Sequence, residues 1–352
     1  MSRVIVFGGY GTFGSQVARA LAAWRTPLTI AGRELSAAEA FARRLGGDCK
    51  ARTGDVTRLD SCRAALEGHT VAVNCTGPFH NLNTALLEGC LQAGCHYTDI
   101  SDDRGYSALV RSFEERFLRR GLAAVYGCSS LPGISGALAL LARDATPAEV
   151  QRVRVTLFIG NHNPKGRAAV RALLAGLGRP ITAPQGTLFG FHDREVVALP
   201  PPFGRRGVFN FDAPEYDLFP SLLETRAVTV KVGFELRSAT YAFALLARLR
   251  HGYGPRIARV LEVPGRLLAW LGCSGGVVMS ELFLSDGSVR RAALAGRRDG
   301  QRMAALPCAL VARALCEAAS ARPGTATAYD FLGARPLLAN LVDAGFELHA
   351  AP

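Results

Sequence analysis

Val4-Ile5-Val6-Phe7 runs directly into Gly8-Gly9-Tyr10-Gly11-Thr12-Phe13-Gly14, and the next ten residues set Val17, Leu21 and Trp24 at helical spacing. A β-branched run, a glycine-rich turn and a helix, in that order, are the setting in which G-x-G-x-x-G acquires a mechanism. Glycine permits a tight turn and close backbone approach, and the helix start offers unpaired N–H groups and a favourable dipole to a pyrophosphate. Gly8, Gly9, Gly11, Thr12, Phe13 and Gly14 are therefore expected to cradle a dinucleotide.

The glycines read in two registers, as Gly9-x-Gly11-x-x-Gly14 or as Gly8-x-x-Gly11-x-x-Gly14. The second is the short-chain reductase spacing, whose chemistry needs a Tyr-x-x-x-Lys pair. None of the eight tyrosines has a lysine four residues later. Short-chain catalysis is disfavoured in either register.

Working outward, strand and helix alternate, which implies a parallel sheet covered by helices. Strands are expected at 28–31, 49–52, 71–75, 96–98 and 123–126. Helices are expected at 36–45 (with Ser36 and Glu39 as a capping box), 59–66, 83–93, 107–119 and 132–143. The second strand ends Gly32-Arg33. An acidic residue there would suit a ribose 2′-hydroxyl, whereas arginine suits a 2′-phosphate, so NADP(H) is expected over NAD(H). Asp55 and Val56 follow the third strand, where an acidic residue borders the adenine or caps the next helix. Thr76, Gly77 and Pro78 end the fourth, where ligands of open α/β sheets lie.

Beyond residue 143 the pattern changes. Residues 152–159 and 227–234 alternate as strands, 184–220 reads as an irregular loop or broken edge strands, and 241–250 as a basic amphipathic helix. Residues 277–284 and 288–295 read as a hairpin around Asp286-Gly287. The end reads as helical, at 307–319 and 335–344.

Composition narrows the function classes. The chain has 352 residues, 49% of them apolar, enough for two domains. Its +12 charge comes almost wholly from scattered arginines, with lysine only at 50, 165 and 231. No basic stripe or reading motif indicates nucleic acid, and an anionic small molecule fits the charge equally well. The nine cysteines include no C-x-x-C pair and share no metal-ligand spacing with the histidines, so no metal is expected. No apolar run reaches membrane-spanning length. With no signal-peptide pattern, a reducing cytoplasm is the expected compartment.

The stretch 8–14, Ala31-Gly32-Arg33, the turn 74–79, Tyr97-Thr98-Asp99 and Cys128-Ser129-Ser130-Leu131-Pro132-Gly133-Ile134-Ser135 together resemble saccharopine dehydrogenase-like (saccharopine reductase) proteins. The resemblance is clear over residues 3–140. It implies a Rossmann domain (1–131), an α/β substrate and dimerisation domain (132–304), and C-terminal helices (305–352) packing back on the first domain. It also implies NADP(H), a homodimer, and hydride transfer at a C–N bond of an amino acid. Some relatives instead reduce C=C bonds of lipid or polyketide chains in trans, and others have no assigned activity, so a non-catalytic NADP(H)-binding protein remains an alternative.

Candidate chemistry sits at strand ends. Tyr97 and Asp99 are candidates to supply or relay a proton. Ser129, Ser130 and Gly133 are candidate substrate contacts, with Pro132 as a first-turn residue whose helix would hold a carboxylate. In the second domain Asn161-His162-Asn163-Pro164-Lys165-Gly166 is the densest polar cluster; Lys165 is a candidate proton donor and His162 a candidate substrate contact. Glu235, Arg237 and the aromatic segment with Phe209, Phe211, Tyr216 and Phe219 read equally as site or as structure.

Overall fold

The computed structural model describes residues 3–144, 146, 148–164, 166–249, 252–253, 272–317 and 322–351. The chain divides into two compact units, Met1–Ser129 with Ala304–Gly333, and Ser130–Met303 with Ala334–Pro352.

In the first unit the βα alternation produces β1 (Val4–Phe7), α1 (Gly14–Ala23), β2 (Leu28–Gly32), α2 (Leu35–Leu45), β3 (Cys49–Thr53), α3 (Leu59–Leu66) and β4 (Val71–Asn74). It continues with α4 (Ala85–Ala93), β5 (His96–Asp99), α5 (Arg104–Arg111), α6 (Glu114–Arg119) and β6 (Ala123–Tyr126). These six strands are parallel and lie in the order β3-β2-β1-β4-β5-β6. The order reverses between β1 and β4. Right-handed crossovers therefore carry the helices of the two halves to opposite faces, and the reversal opens a crevice at the strands' carboxyl ends. Every residue of β1, β2, β4 and β6 is buried, as a doubly covered parallel sheet requires.

The second unit holds α7 (Ser135–Asp144), β7 (Val150–Ile159), α8 (Arg167–Gly176), β8 (Pro180–Ala183), β9 (Gly186–Phe189), β10 (Glu195–Ala198) and β11 (Arg205–Asn210). It goes on through α9 (Glu215–Leu223), β12 (Val228–Phe234), α10 (Arg237–Leu249), β13 (Gly276–Leu284) and β14 (Val289–Gly296). Its sheet is mixed, in the order β10-β11-β12-β7-β13-β14 with a last strand added beyond β14. Only β12 and β7 pair in parallel. The β13–β14 hairpin turns at Asp286-Gly287 as expected.

Several local expectations need correction. The capping box at Ser36 does not form: α2 begins a residue earlier, behind an extended Glu34 that makes no side-chain cap. The helix expected at 107–119 is two helices. Asp103 caps the first by accepting from Tyr106 N at 2.8 Å, and Ser112 Oγ turns back to Leu109 O where the first helix ends. Pro132 is not in the first turn of α7. It lies in a separate turn, Ser130–Ile134, containing an extended Leu131, and the helix proper starts at Ser135. Residues 184–220 include a helix, α9, whose buried Tyr216, Phe219 and Leu223 have helical spacing despite Pro220.

The C-terminal segment differs most from expectation. α11 (Gly300–Leu315) is followed by β15 (Gly324–Thr327), which pairs in parallel with β6 and adds a seventh strand to the first sheet. Glu114 on α6 holds that strand by accepting from both Thr325 N and Thr325 Oγ1. After α12 (Ala328–Leu332), residues 334–352 leave the first unit. Within the second unit, α13 (Ala334–Asp343) is followed by β16 (Glu347–Ala351), which pairs antiparallel with β14 as that sheet's seventh strand. The expected block 305–352 is thus split, because each new strand finds an unpaired sheet edge.

Candidate functional site

The β1–α1 turn has the geometry of an anion cradle. Gly8 has φ +73°, and a side chain there would meet Cys75 O at 2.9 Å. At Gly14 a Cβ would lie 2.2 Å from Gly8 O, so only glycine lets α1 start this close to the strand end. Gly14 belongs to both registers, and the positive φ of Gly8 favours Gly8-x-x-Gly11-x-x-Gly14. Gly11 N closes the turn by donating to Gly8 O at 2.9 Å. Among the described residues the amides of Gly9, Tyr10, Thr12, Phe13 and Gly14 have no acceptor. Five unpaired amides around one helix start are the arrangement with which backbone and dipole together can hold an anion.

Around the cradle, Arg33 is exposed at the end of β2 and makes no hydrogen bond or ion pair among the described residues. Its charge, with that of Arg58, helps to hold the Asp55 carboxyl below its usual range, although the bonds from Thr57 are the larger cause. Asp55 Oδ1 accepts from Thr57 N at 3.0 Å and Thr57 Oγ1 at 2.7 Å, so this carboxylate shapes the turn before α3; Val56 beside it is buried. At the end of β4, Asn74 Oδ1 accepts from Thr76 N at 3.1 Å and Thr76 Oγ1 at 2.6 Å, which sets the start of the Thr76-Gly77-Pro78 turn. The Asn74 amide nitrogen in turn donates to Tyr97 Oη at 3.3 Å and Tyr106 Oη at 3.2 Å.

Tyr97 and Asp99 are both fully buried in the first unit. The two phenols of Tyr97 and Tyr106 share a 3.0 Å hydrogen bond, and burial pushes the Tyr97 phenol well above its ordinary range. Asp99 Oδ1 accepts from Ser101 N and Gly127 N, both at 2.9 Å, tying the end of β5 to the turn after β6. Its Oδ2 has no partner among the described residues, and burial raises the carboxyl to about 6. These side chains brace the carboxyl ends of β4, β5 and β6, and both are without exposed surface in this structure.

The substrate candidates divide between the units: Ser129 ends the first stretch of one, and Ser130, Gly133 and His162 belong to the other. Ser130 and Gly133 are buried in the turn before α7. His162 is exposed on a loop whose backbone is fixed at both flanks. Glu235 Oε2 accepts from Asn161 N and Cys273 N, both at 2.8 Å, and Asn163 Nδ2 donates to Gly160 O and Gly275 O. Glu235 is therefore a backbone clamp. Lys165 lies outside the described residues, as do 250–251 and 254–271. The aromatic segment is core: Phe209, Tyr216 and Phe219 are buried, and Phe209 packs with Phe191 and Val232 against α8 and α10.

Sequence reasoning missed Tyr106, which no spacing links to Asn74, 32 residues away. It also passed over Tyr10, although a bulky ring inside a glycine turn is itself a signal.

A parallel sheet with a cradle of this kind at its switch point defines a dinucleotide-binding domain. A family model described as the saccharopine dehydrogenase NADP binding domain matches residues 4–125, the greater part of the first unit. NADP(H) is accordingly the cofactor, and the cradle and Arg33 fit its phosphates. The chain also superposes on apo histidine-tagged saccharopine dehydrogenase (L-Glu forming) from Saccharomyces cerevisiae. That match covers 100% of each chain with a TM-score of 0.68 at 13% identity, a likeness of fold. A short-chain type dehydrogenase/reductase from Mycobacterium ulcerans aligns over 36% of this chain and 66% of its own, at 17% identity and a TM-score of 0.30. The RhlG/NADP complex from Pseudomonas aeruginosa aligns over 36% and 69%, at 19% identity and 0.29. Nothing rests on these two partial matches. No curated protein sequence matches the chain. The cofactor domain is thus shown by the family model, and the fold of the whole chain is that of the yeast structure.

Proposed function

We propose that this protein transfers a hydride between NADP(H) and a C=N bond, imine or secondary amine, of a small amino-acid-like molecule. The observation that carries the cofactor half of the reading is the set of five unpaired amides at the start of α1, with the unpaired Arg33 at the end of β2, and the likeness of residues 4–125 to the saccharopine dehydrogenase NADP binding domain supports the C=N half. NADPH, when bound, supplies the hydride. The chain's own residues hold the cofactor: the 8–14 turn takes the pyrophosphate through backbone N–H groups, and Arg33 takes the 2′-phosphate through charge-assisted bonds. Thr76, Gly77 and Pro78 line the cofactor beyond its pyrophosphate, their turn set by Asn74. Tyr97 and Asp99 enter as braces of that floor. The proton that balances the reduction is then drawn from solvent.

An open aromatic channel would favour the enoyl alternative; Phe209, Tyr216 and Phe219 are buried side chains of the second unit. A homodimer and a reducing cytoplasmic setting complete the proposal; all nine cysteines are free thiols, and no described helix is long and apolar enough to cross a membrane.

The test is a fluorescence titration of wild type and Arg33→Ala with NADPH and NADH. It is followed by turnover assays pairing 2-oxo acids with amines, and separately with enoyl thioesters. We expect NADPH to bind more tightly than NADH, the preference to vanish in Arg33→Ala, and oxidation of NADPH with the imine-forming pairs. Turnover with enoyl thioesters alone would replace the C=N reading. Tight NADPH binding with no turnover on either panel would favour a non-catalytic NADP(H)-binding protein.

A further inference from the structure

We infer that Tyr10 is a specificity-determining positioning residue, which sets the β2–α2 turn so that Arg33 selects NADP(H) over NAD(H). The inference rests on the Arg33 reading above, and its experiment separates the two. Tyr10 is the one bulky aromatic side chain between Gly8 and Gly11, where the turn is otherwise glycine. Its ring does not pack under the turn. It reaches across to the next strand and lies on the backbone of Gly32: a Cβ built there would stand 2.4 Å from Cε1, 2.5 Å from Oη and 2.7 Å from Cζ of Tyr10. Two residues on, Glu34 N donates to Tyr10 Oη at 3.3 Å. The ring and its hydroxyl therefore touch the residues on either side of Arg33.

The consequence is geometric. An exposed arginine has several rotatable bonds, and ordering it against a phosphate sacrifices that freedom. A turn already fixed at Gly32 and Glu34 removes the backbone part of that loss before the cofactor arrives. The same contacts mark two further features of the segment. A side chain at Gly32 would have to displace the ring, which occupies the space of a Cβ. Glu34, the residue ahead of α2, makes no side-chain cap, and its own amide is held by the phenol. The phosphate cradle and the 2′-phosphate arginine are thus joined through one side chain.

The experiment measures dissociation constants for NADPH and NADH by nicotinamide fluorescence on wild type, Tyr10→Phe, Tyr10→Ala, Gly32→Ala, Arg33→Ala and the double variants Tyr10→Ala/Arg33→Ala and Tyr10→Ala/Gly32→Ala. Thermal unfolding is followed in parallel. In Tyr10→Ala we expect NADPH affinity to fall about tenfold, the size of one charge-assisted hydrogen bond, with NADH affinity changed much less. Tyr10→Phe keeps the ring on Gly32 and should recover part of the preference. Gly32→Ala displaces the ring and should mimic Tyr10→Ala, and adding Tyr10→Ala should restore its melting temperature without restoring the preference. In the Arg33→Ala background, Tyr10→Ala should have little further effect on the NADPH/NADH ratio. An equal loss of both nucleotides in Tyr10→Ala, or an unchanged ratio, would overturn the role of Tyr10 while leaving Arg33 intact. An unchanged ratio in Arg33→Ala itself would overturn the underlying reading.

Discussion

Two buried residues of the first unit pull the acid stability of the protein in opposite directions. Asp99 titrates at about 6 in the folded protein against an ordinary 3.8, because burial disfavours its charged form. The folded state then holds a proton that the unfolded chain has released, so this contribution is greatest below pH 4 and is lost as pH rises through 6, by about 3 kcal/mol. His69 is lowered to about 4 from 6.5, chiefly by burial, with Nε2 against Thr29 Oγ1 at 2.8 Å. Its contribution is full above 6.5 and is lost as pH falls toward 4, again by about 3 kcal/mol. Denaturant unfolding between pH 4 and 6.5 should show Asp99→Asn gaining stability with rising pH and His69→Gln losing it. Parallel profiles in the two variants would contradict these assignments. Gly14→Ala, which forces a methyl to 2.2 Å from Gly8 O, should abolish NADPH binding; retained affinity would show that α1 can move away from β1.

Among the elements, the second sheet is joined across five strands by charges. Lys231 on β12 is almost fully buried and donates to Asp193 O at 2.6 Å and to Glu195 on β10 at 3.0 Å. Arg154 on β7 bridges Glu195 to Glu281 on β13, and Glu281 also pairs with Arg291 on β14 at 2.6 Å. Such a network is poor evidence of stability gained against apolar residues, but removing one member strands its partners. Glu281→Gln should destabilise the protein by about 3 kcal/mol, at the low end for a buried pair because Arg291 is 41% exposed. A change below about 0.5 kcal/mol in urea titration would mean the arginines find water. Elements also show where periodicity misleads. Residues 324–327, Gly-Thr-Ala-Thr, carry no apolar alternation and become a strand because β6 has an open edge and Glu114 receives Thr325. The helix α9 was obscured by Pro220, although its buried residues kept a helical period.

For the whole molecule, the cofactor domain and the second unit are separate compact bodies, so ligand stabilisation need not be shared equally. NADPH at 100 times its dissociation constant adds about 2.7 kcal/mol to the state that binds it. Differential scanning calorimetry should therefore show the NADPH-dependent shift in the transition that includes the first unit, with NADH giving less and Arg33→Ala removing the difference. An equal shift with both nucleotides would remove the basis for assigning the 2′-phosphate to Arg33.

The sequence by itself determined the cofactor domain: β1, the glycine turn, α1 and the arginine at the end of β2 are contiguous or one strand apart, and local chemistry dictates each of them. It could not choose the glycine register, because Gly8 and Gly9 are alike until Gly8 takes φ +73° against Cys75. Tertiary structure alone decided that Tyr97 and Asp99 are braces: their partners Asn74, Tyr106 and Gly127 come from 23, 9 and 28 residues away. It likewise turned Glu235 from a candidate site residue into a clamp 74 residues from Asn161, and split the C-terminal segment between two sheets. A polar side chain reads the same in sequence whether it faces a ligand or an amide, and only the fold determines which it meets.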